Sequence, residues 1–434
     1  MRSFALLGVL VVGAFAACGG QTNGAAPPPA DDAGSTNTNG DAGAAAPDAA
    51  PDAPPDLGSD VYPAPHRPIP TVKNMGGALL TDVKIVTVTY AGEAQRDQLR
   101  AFDDAIVAGA WWESVTAGYG INKGTSGGYV ELPDDVSGKT LDNDTNLKPY
   151  LYDLIQKGTL PAPDANTLYA LYFPEATTIT LQGQTSCQSF GAYHDSAGFG
   201  VNGQTIEAAY AVIPNCGGGR TVSASHEFIE AATDAHPQGG GAYYGLNLPW
   251  WGSAGGEVAD LCERYGSIAD TATGTNVARS WVNAAALASK NPCQPTAPGI
   301  IYFNTAIDTS EMVLVHSTTG AAYMSEGFVT VPKGTSKQVT LQVFSEAKLP
   351  NDLTLAVGAT PRGRGGATST LNPITAGVKA TISETTVRNG MHPTLTITVD
   401  PSATIGDYPF VVRSTLNATS ATQWPAVLRV VAPK

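Results

Sequence analysis

The chain has 434 residues, enough for two or three domains that each bury a core. Charged residues are only 14% of it, while glycine (48) and proline (31) are abundant, which excludes coiled-coil and long-helix architectures and favours turn-rich β or α+β structure. A net charge of −14 with no basic run speaks against nucleic acid as a partner, because phosphate contacts need clustered Lys and Arg.

Met1-Arg2, the apolar run Phe4 to Phe15 and Ala16-Ala17 have the charged start, short apolar core and small cleavage residues of an export signal. Phe15-Ala16-Ala17-Cys18 resembles a bacterial lipobox, with Phe15 where Leu is usual, so residues 1–18 read as a lipoprotein signal and Cys18 as the lipidated residue. Secretion without a lipid is the alternative, and otherwise the membrane is contacted only through the anchor. Five cysteines in an exported chain leave an even set of four once Cys18 is set aside. Cys187, Cys216, Cys262 and Cys293 permit three pairings, of which Cys187 with Cys216 and Cys262 with Cys293 is the nearest-neighbour choice. The absence of any C-x-x-C pair argues against a zinc-cysteine site.

Residues 19–70 are nearly all Gly, Ala, Pro, Asp, Thr and Asn, too poor in large apolar side chains to offset the entropy of ordering, and read as a disordered tether. A β-branched strand follows at Val83 to Tyr90, then a helix over Gln95 to Trp112 with Leu99, Phe102 and Ile106 at helical spacing. Tyr150 to Ile155 reads as a short helix, Thr167 to Phe173 and Ala208 to Ile213 as buried strands, and Val222 to Ala232 as a helix. This predicts an α+β domain over residues 71–296. Beyond it the helical stretches vanish and eight alternating β segments, from Glu311 to Val431, predict an immunoglobulin-like sandwich over residues 297–434.

Chemistry concentrates in Ser225-His226-Glu227-Phe228-Ile229-Glu230, an H-E-x-x-E sequence inside a predicted helix. His226 and Glu230, four residues and about 40° apart, share one face and reach a common cation, while Glu227 turns aside by about 100° to address a water as base. This is the logic of the H-E-x-x-H metalloprotease helix with its second histidine replaced. The plain alternative is an i,i+4 ion pair beside a solvated glutamate. For a third ligand, His236 has the spacing of an extended H-E-x-x-H motif, but Thr233 stands where glycine permits the sharp turn. Gly256-Glu257-Val258-Ala259-Asp260 offers Glu257 as ligand and Asp260 as support for His226, which looks like the glutamate-type zincin arrangement. One imidazole with two carboxylates suits Zn²⁺ and also accepts Mn²⁺ or Ca²⁺. His194, Tyr243 and Tyr244 are candidate oxyanion partners, and His194 is also an alternative ligand or support.

Taken together, Gly76 to Thr81, Trp111-Trp112, Cys187 to His194, His226-Glu227 with Glu230, Thr233-Asp234, Trp251 and Glu257 to Glu263 with Tyr265-Gly266 make the chain resemble the Exordium, or phosphate-induced protein, family and its bacterial secreted relatives. The resemblance spans about Asn74 to Pro295 and implies secretion and a cell-wall or extracellular role, without a settled biochemical activity. The sequence therefore predicts an exported, lipid-anchored protein with a zincin-like α+β domain and a C-terminal sandwich. Its expected activity is that of a metal-dependent peptidase on extracellular protein. The rival expectation is a non-enzymatic Exordium-like surface protein that binds cell-wall glycan or a partner protein through Tyr243-Tyr244 and Trp250-Trp251.

Overall fold

A computed structural model describes residues 58–238, 241–245, 256–316, 322–360 and 368–433. The export signal, Cys18, most of the tether and the Trp250-Trp251 pair lie outside the described residues.

β1 (Lys84–Ala91) carries six consecutive β-branched or aromatic residues, Ile85 to Tyr90, all of them buried. It pairs in parallel with β2 (Thr125–Asp135) on one side. A minor three-stranded sheet comprises β3 (Thr140–Asp142), β5 (Thr178–Leu181) and β6 (Gln184–Thr185). β4 (Thr167–Tyr172) flanks β1 on its other side and runs parallel to it. The main sheet is completed by β8 (Gln204–Ile213), parallel to β4, and by the edge strand β7 (Tyr193–Val201), antiparallel to β8. Period-2 alternation sorts the side chains. Ile85, Leu168, Ala170, Ala209 and Ala211 face α1 (Arg96–Ile106), α2 (Ala110–Val115) and α4 (Arg220–Thr233), while Val86, Val88, Leu171, Tyr210 and Val212 face α3 (Lys148–Gln156).

The single helix expected over Gln95 to Trp112 is two helices, because extended Gly109 interrupts the path and Val107 turns its carbonyl to the Gly124 amide at 2.9 Å. Trp111 and Trp112 are core residues, their indoles donating to the carbonyls of Ala278 and Asn122, both at 2.9 Å.

Two short antiparallel pairs follow, β9 (Ile268–Asp270) with β10 (Thr275–Val277) and β11 (Ser280–Trp281) with β12 (Cys293–Gln294). The C-terminal half is two sheets with a shared core. β13 (Phe303–Ile307), β17 (Ser336–Ser345), β21 (Thr394–Val399) and β19 (Val378–Ile382) make one. β16 (Phe328–Pro332), β23 (Ser420–Val431), β22 (Gly406–Asn417), β18 (Leu353–Gly358) and β20 (Thr386–Val387) make the other, and β14 (Met312–His316) pairs with β15 (Ala322–Glu326) as a separate hairpin. Leu341, Val343, Leu395 and Ile397 meet Leu355, Phe410, Val412 and Leu428 between the two sheets.

Two expectations are corrected here. The chain is not a zincin-like α+β protein: strand makes up 39% of it against 16% helix, in several curled sheets. Strand in this half was underestimated because β2, β3, β5, β6 and β7 are short, glycine-bearing or polar and read as connections. The tether, expected to run to Pro70, is placed from Gly58 onward. Asn389 clasps this segment: its side-chain amide donates to the Ser59 and Val61 carbonyls at 2.8 Å, and its Oδ1 accepts from the Ala64 and Ser345 amides at 3.1 and 3.0 Å. His66 stacks on Phe344 with ring centroids 3.6 Å apart, and Ala64 and Ile69 are buried.

On the helix-bearing face of the sheet Asp103 is fully enclosed and accepts from Tyr172 Oη at 2.6 Å and Thr87 Oγ1 at 2.7 Å. Burial pushes its carboxyl up to about 7, against the opposing pull of those two hydroxyls. An unfolded aspartate titrates near about 4, so between these values the folded state binds more protons and stability falls as pH rises. Asp103→Asn is expected to flatten this decline, so that urea midpoints at pH 5 and pH 8 differ less than in the parent.

Candidate metal centre

Three pieces of backbone build the cluster. On α4, Ala224, Phe228, Ala231 and Ala232 pack into the core, which leaves the i,i+4 pair His226 and Glu230 along another side of the helix, with Asp234 at its C-cap four residues on. Strand β7 supplies His194, which stands opposite Ala211 in the ladder and therefore faces α4, whereas its neighbour Asp195 faces α3 and pairs with Lys148 at 2.8 Å. The third piece is the turn Gly256 to Asp260, which enters a 3₁₀ helix at Asp260–Tyr265.

Glu230 joins helix to turn. Its Oε1 accepts from the backbone amides of Ala259 and Asp260 at 3.1 and 3.0 Å, and its Oε2 lies 3.1 Å from His226 Nε2. Asp260 Oδ1 lies 3.5 Å from the same nitrogen, while its Oδ2 accepts from the Gly256 amide at 3.2 Å. The Cys262–Cys293 disulfide fastens the segment just beyond, and Cys187 pairs with Cys216.

His194 has a second set of neighbours. Its Nδ1 is 3.5 Å from Glu227 Oε2, and its Nε2 is 3.3 Å from Glu257 Oε1 and 3.1 Å from the Asp234 carbonyl oxygen. The donor atoms thus fall into two groups, His194, Glu230 and Glu257 in one and His226, Glu227 and Glu230 in the other, each with all atoms within 4.8 Å of one another. The expected trio of His226, Glu230 and Glu257 is divided between them. His236 joins neither group, and its Nε2 is buried without a hydrogen-bond partner among the described residues. Sequence reasoning passed over Asp234 as a site residue, although its place four residues after Glu230 continues the helical series. It accepts from the Ala242 amide at 3.0 Å through Oδ1, while Oδ2 is buried and unpartnered among the described residues. Tyr243 packs edge-on against Tyr119, and Tyr244 lies over Gly256, where an added Cβ would come within 3.1 Å of its ring.

Electrostatics follow from crowding. Five carboxyl groups, Glu227, Glu230, Asp234, Glu257 and Asp260, surround two imidazoles, more acids than the two rings could balance if all were ionised. Burial pushes Glu230 up to about 7 against the pull of His226, and it raises Glu257 and Asp234 as well. Burial acts to depress the histidines, but Glu257 and Glu227 outweigh it and hold His194 up at about 10, and Glu230 and Asp260 raise His226. Glu257 Oε1 makes no hydrogen bond among the described residues although the residue is only 8% exposed. Crowded carboxyls that burial holds back from ionising, and a carboxyl oxygen without a hydrogen bond, are features that a divalent cation relieves by displacing protons.

No protein-family model and no curated protein matches the chain. Among solved structures, the S-layer protein SbsC domains 4 and 5 align at 12% identity and TM-score 0.17, covering 30% of this chain and 54% of that one. The longer S-layer protein rSbsC(31-844) aligns at 12% identity and TM-score 0.17, and SbsC domains 1–6 at 11% and 0.18, each covering 59% of this chain and 37% of the other. The chain therefore spans about half or less of those proteins, and at these scores the likeness bears on neither fold nor function. The two disulfides are those of an extracellular protein. No described helix is long and apolar enough to cross a membrane.

Replacing Glu230 with Ala leaves the Ala259 and Asp260 amides without their acceptor and His226 with Asp260 alone. A loss of about 3 kcal/mol or more is expected in chemical denaturation, with Glu230→Gln milder because it keeps a carbonyl oxygen toward the turn.

Proposed function

We propose that this chain is an exported metal-dependent peptidase, lipid-anchored through Cys18 and acting on extracellular protein. The observation that carries the reading is the convergence of the H-E-x-x-E side chains with His194 and the turn at Glu257–Asp260 in one buried cluster of imidazole and carboxyl donors.

His226 and Glu230, with Asp260 beside them, would hold the ion nearer the surface, since His226 is the most exposed of the cluster's side chains in ion pairs, at 19%. The donor set of one imidazole and hard carboxylates suits Zn²⁺, with Mn²⁺ or Ca²⁺ as alternatives. Such an ion supplies Lewis-acid polarisation of a scissile carbonyl and acidifies the attacking water. Glu227, in the same donor group, is the base: it accepts the proton of the attacking water and returns it to the leaving amine. His194, 3.5 Å from Glu227 Oε2, orients that carboxylate. Asp260 steadies His226 and the Gly256–Glu257 turn together.

The rival reading, a non-enzymatic surface protein that binds glycan, has less in its favour among the described residues, because Tyr243 is spent on packing against Tyr119 and the core. The deciding experiment measures bound metal and peptide hydrolysis together. Glu227→Gln is expected to cut turnover by about 10²-fold or more while metal content stays at the parent level. Unchanged turnover removes Glu227 as base, and a parent protein with neither metal nor hydrolysis favours the glycan reading.

A further inference from the structure

We infer that the cluster binds two divalent cations that share Glu230, an inner one on His194, Glu230 and Glu257 and an outer one on His226, Glu230 and Asp260. This rests on the metal-dependent reading above and adds a second ion to it.

Spacing is the first argument. Two ligand atoms held about 2.0–2.2 Å from a tetrahedral ion lie about 3.3–3.6 Å apart. His194 Nε2 and Glu257 Oε1 are separated by 3.3 Å, and His226 Nε2 lies 3.1 Å from Glu230 Oε2 and 3.5 Å from Asp260 Oδ1. Each imidazole nitrogen thus has its own carboxylate oxygen at ligand-to-ligand distance, and Glu230 is common to the group of His194, Glu230 and Glu257 and that of His226, Glu227 and Glu230, where Asp260 takes the third place because Glu227 faces His194.

The second argument is an unmet need at the inner position. Glu257 is 8% exposed, and its Oε1 is aimed at His194 Nε2 yet makes no hydrogen bond among the described residues. His194 is set for ligation if its proton sits on Nδ1, toward Glu227 Oε2, which leaves the Nε2 lone pair facing Glu257. The competing arrangement puts the proton on Nε2, toward the Asp234 carbonyl at 3.1 Å.

The donors suffice for two ions: His194 with Glu257 and His226 with Asp260 each pair one imidazole nitrogen with one carboxylate oxygen, and Glu230 lies between the two pairs. The two positions also differ in access. Glu230, shared by both, is 2% exposed; the other side chains are 2% (His194) and 10% (Glu257) exposed at the inner position against 19% (His226) and 12% (Asp260) at the outer, so a chelator reaches the outer ion first.

The test is elemental analysis of the full mature chain loaded with Zn²⁺ or Mn²⁺, before and after brief exposure to EDTA, alongside the melting temperature. Two ions per chain are expected, one leaving quickly and one slowly. His194→Asn should bind one ion and lose the slow phase, and His226→Asn should bind one and lose the fast phase. If His194→Asn fails to fold, Glu257→Gln, which keeps the side-chain shape, takes its place with the same expectation. A single ion per parent chain overturns the second site and leaves the metal-dependent reading standing. No ion overturns both. Two ions that leave together and survive His194→Asn and Glu257→Gln alike overturn the assignment of the inner ligands.

Discussion

The Glu230 carboxylate is the joint on which the centre depends. One oxygen accepts two backbone amides from the turn at Ala259 and Asp260, and the other faces His226 one helical turn back along α4. A helix side chain that ends another segment's unpaired amides replaces the solvent those amides lose, and this fixes the turn at a set height along the helix. Glu257 and Asp260 then have no freedom to choose their side of the cluster: the residue before Val258 points to His194 and the residue after Ala259 to His226. The split of the donors into two groups follows from that single contact.

The sheet provides the other half of the geometry. α4 lies on one face of the main sheet through Phe228 and its alanines, small residues that bring the helix backbone close to β8 and β7. Because strand side chains alternate, only one of any two neighbours on β7 meets the helix. His194 does, and Asp195 goes instead to a separate polar network with Asn143, Lys148 and Tyr210 on the far face. The two buried networks stay independent despite starting from adjacent residues.

What could be read from the sequence divides along physical lines. β1, β4 and the core of α4 were legible because a β-branched run and an i,i+4 apolar pattern are local signals. The second strand, Thr125–Asp135, carries Gly127, Gly128 and Pro133 and depends for its existence on β1 beside it, so nothing local marks it. β7 is the costlier omission. With Asp195, Gly198 and Gly200 in it, the segment has no clear alternation, and without a strand His194 has no assignable face. His226, Glu227, Glu230, Glu257 and Asp260 were all named from spacing, but which acid meets which histidine is set by strand register and by the Glu230 contact to the turn, neither of which a linear motif encodes. The zincin-like class failed for the same reason: a motif on one helix says little about the sheets around it.

The clasp at Asn389 has a mechanical consequence. The chain enters the folded body not at the domain that carries the acids and histidines but on the sandwich, where four hydrogen bonds from one side chain hold Ser59, Val61, Ala64 and Ser345 together. Tension on any leader attached upstream is therefore delivered first to β17 and the loop before Met391, ahead of the α4 lobe. A fragment cut at residue 71 would lose this buckle and uncover the Phe344 ring beneath His66, so the natural unit for handling the folded part starts a dozen residues earlier than composition suggests.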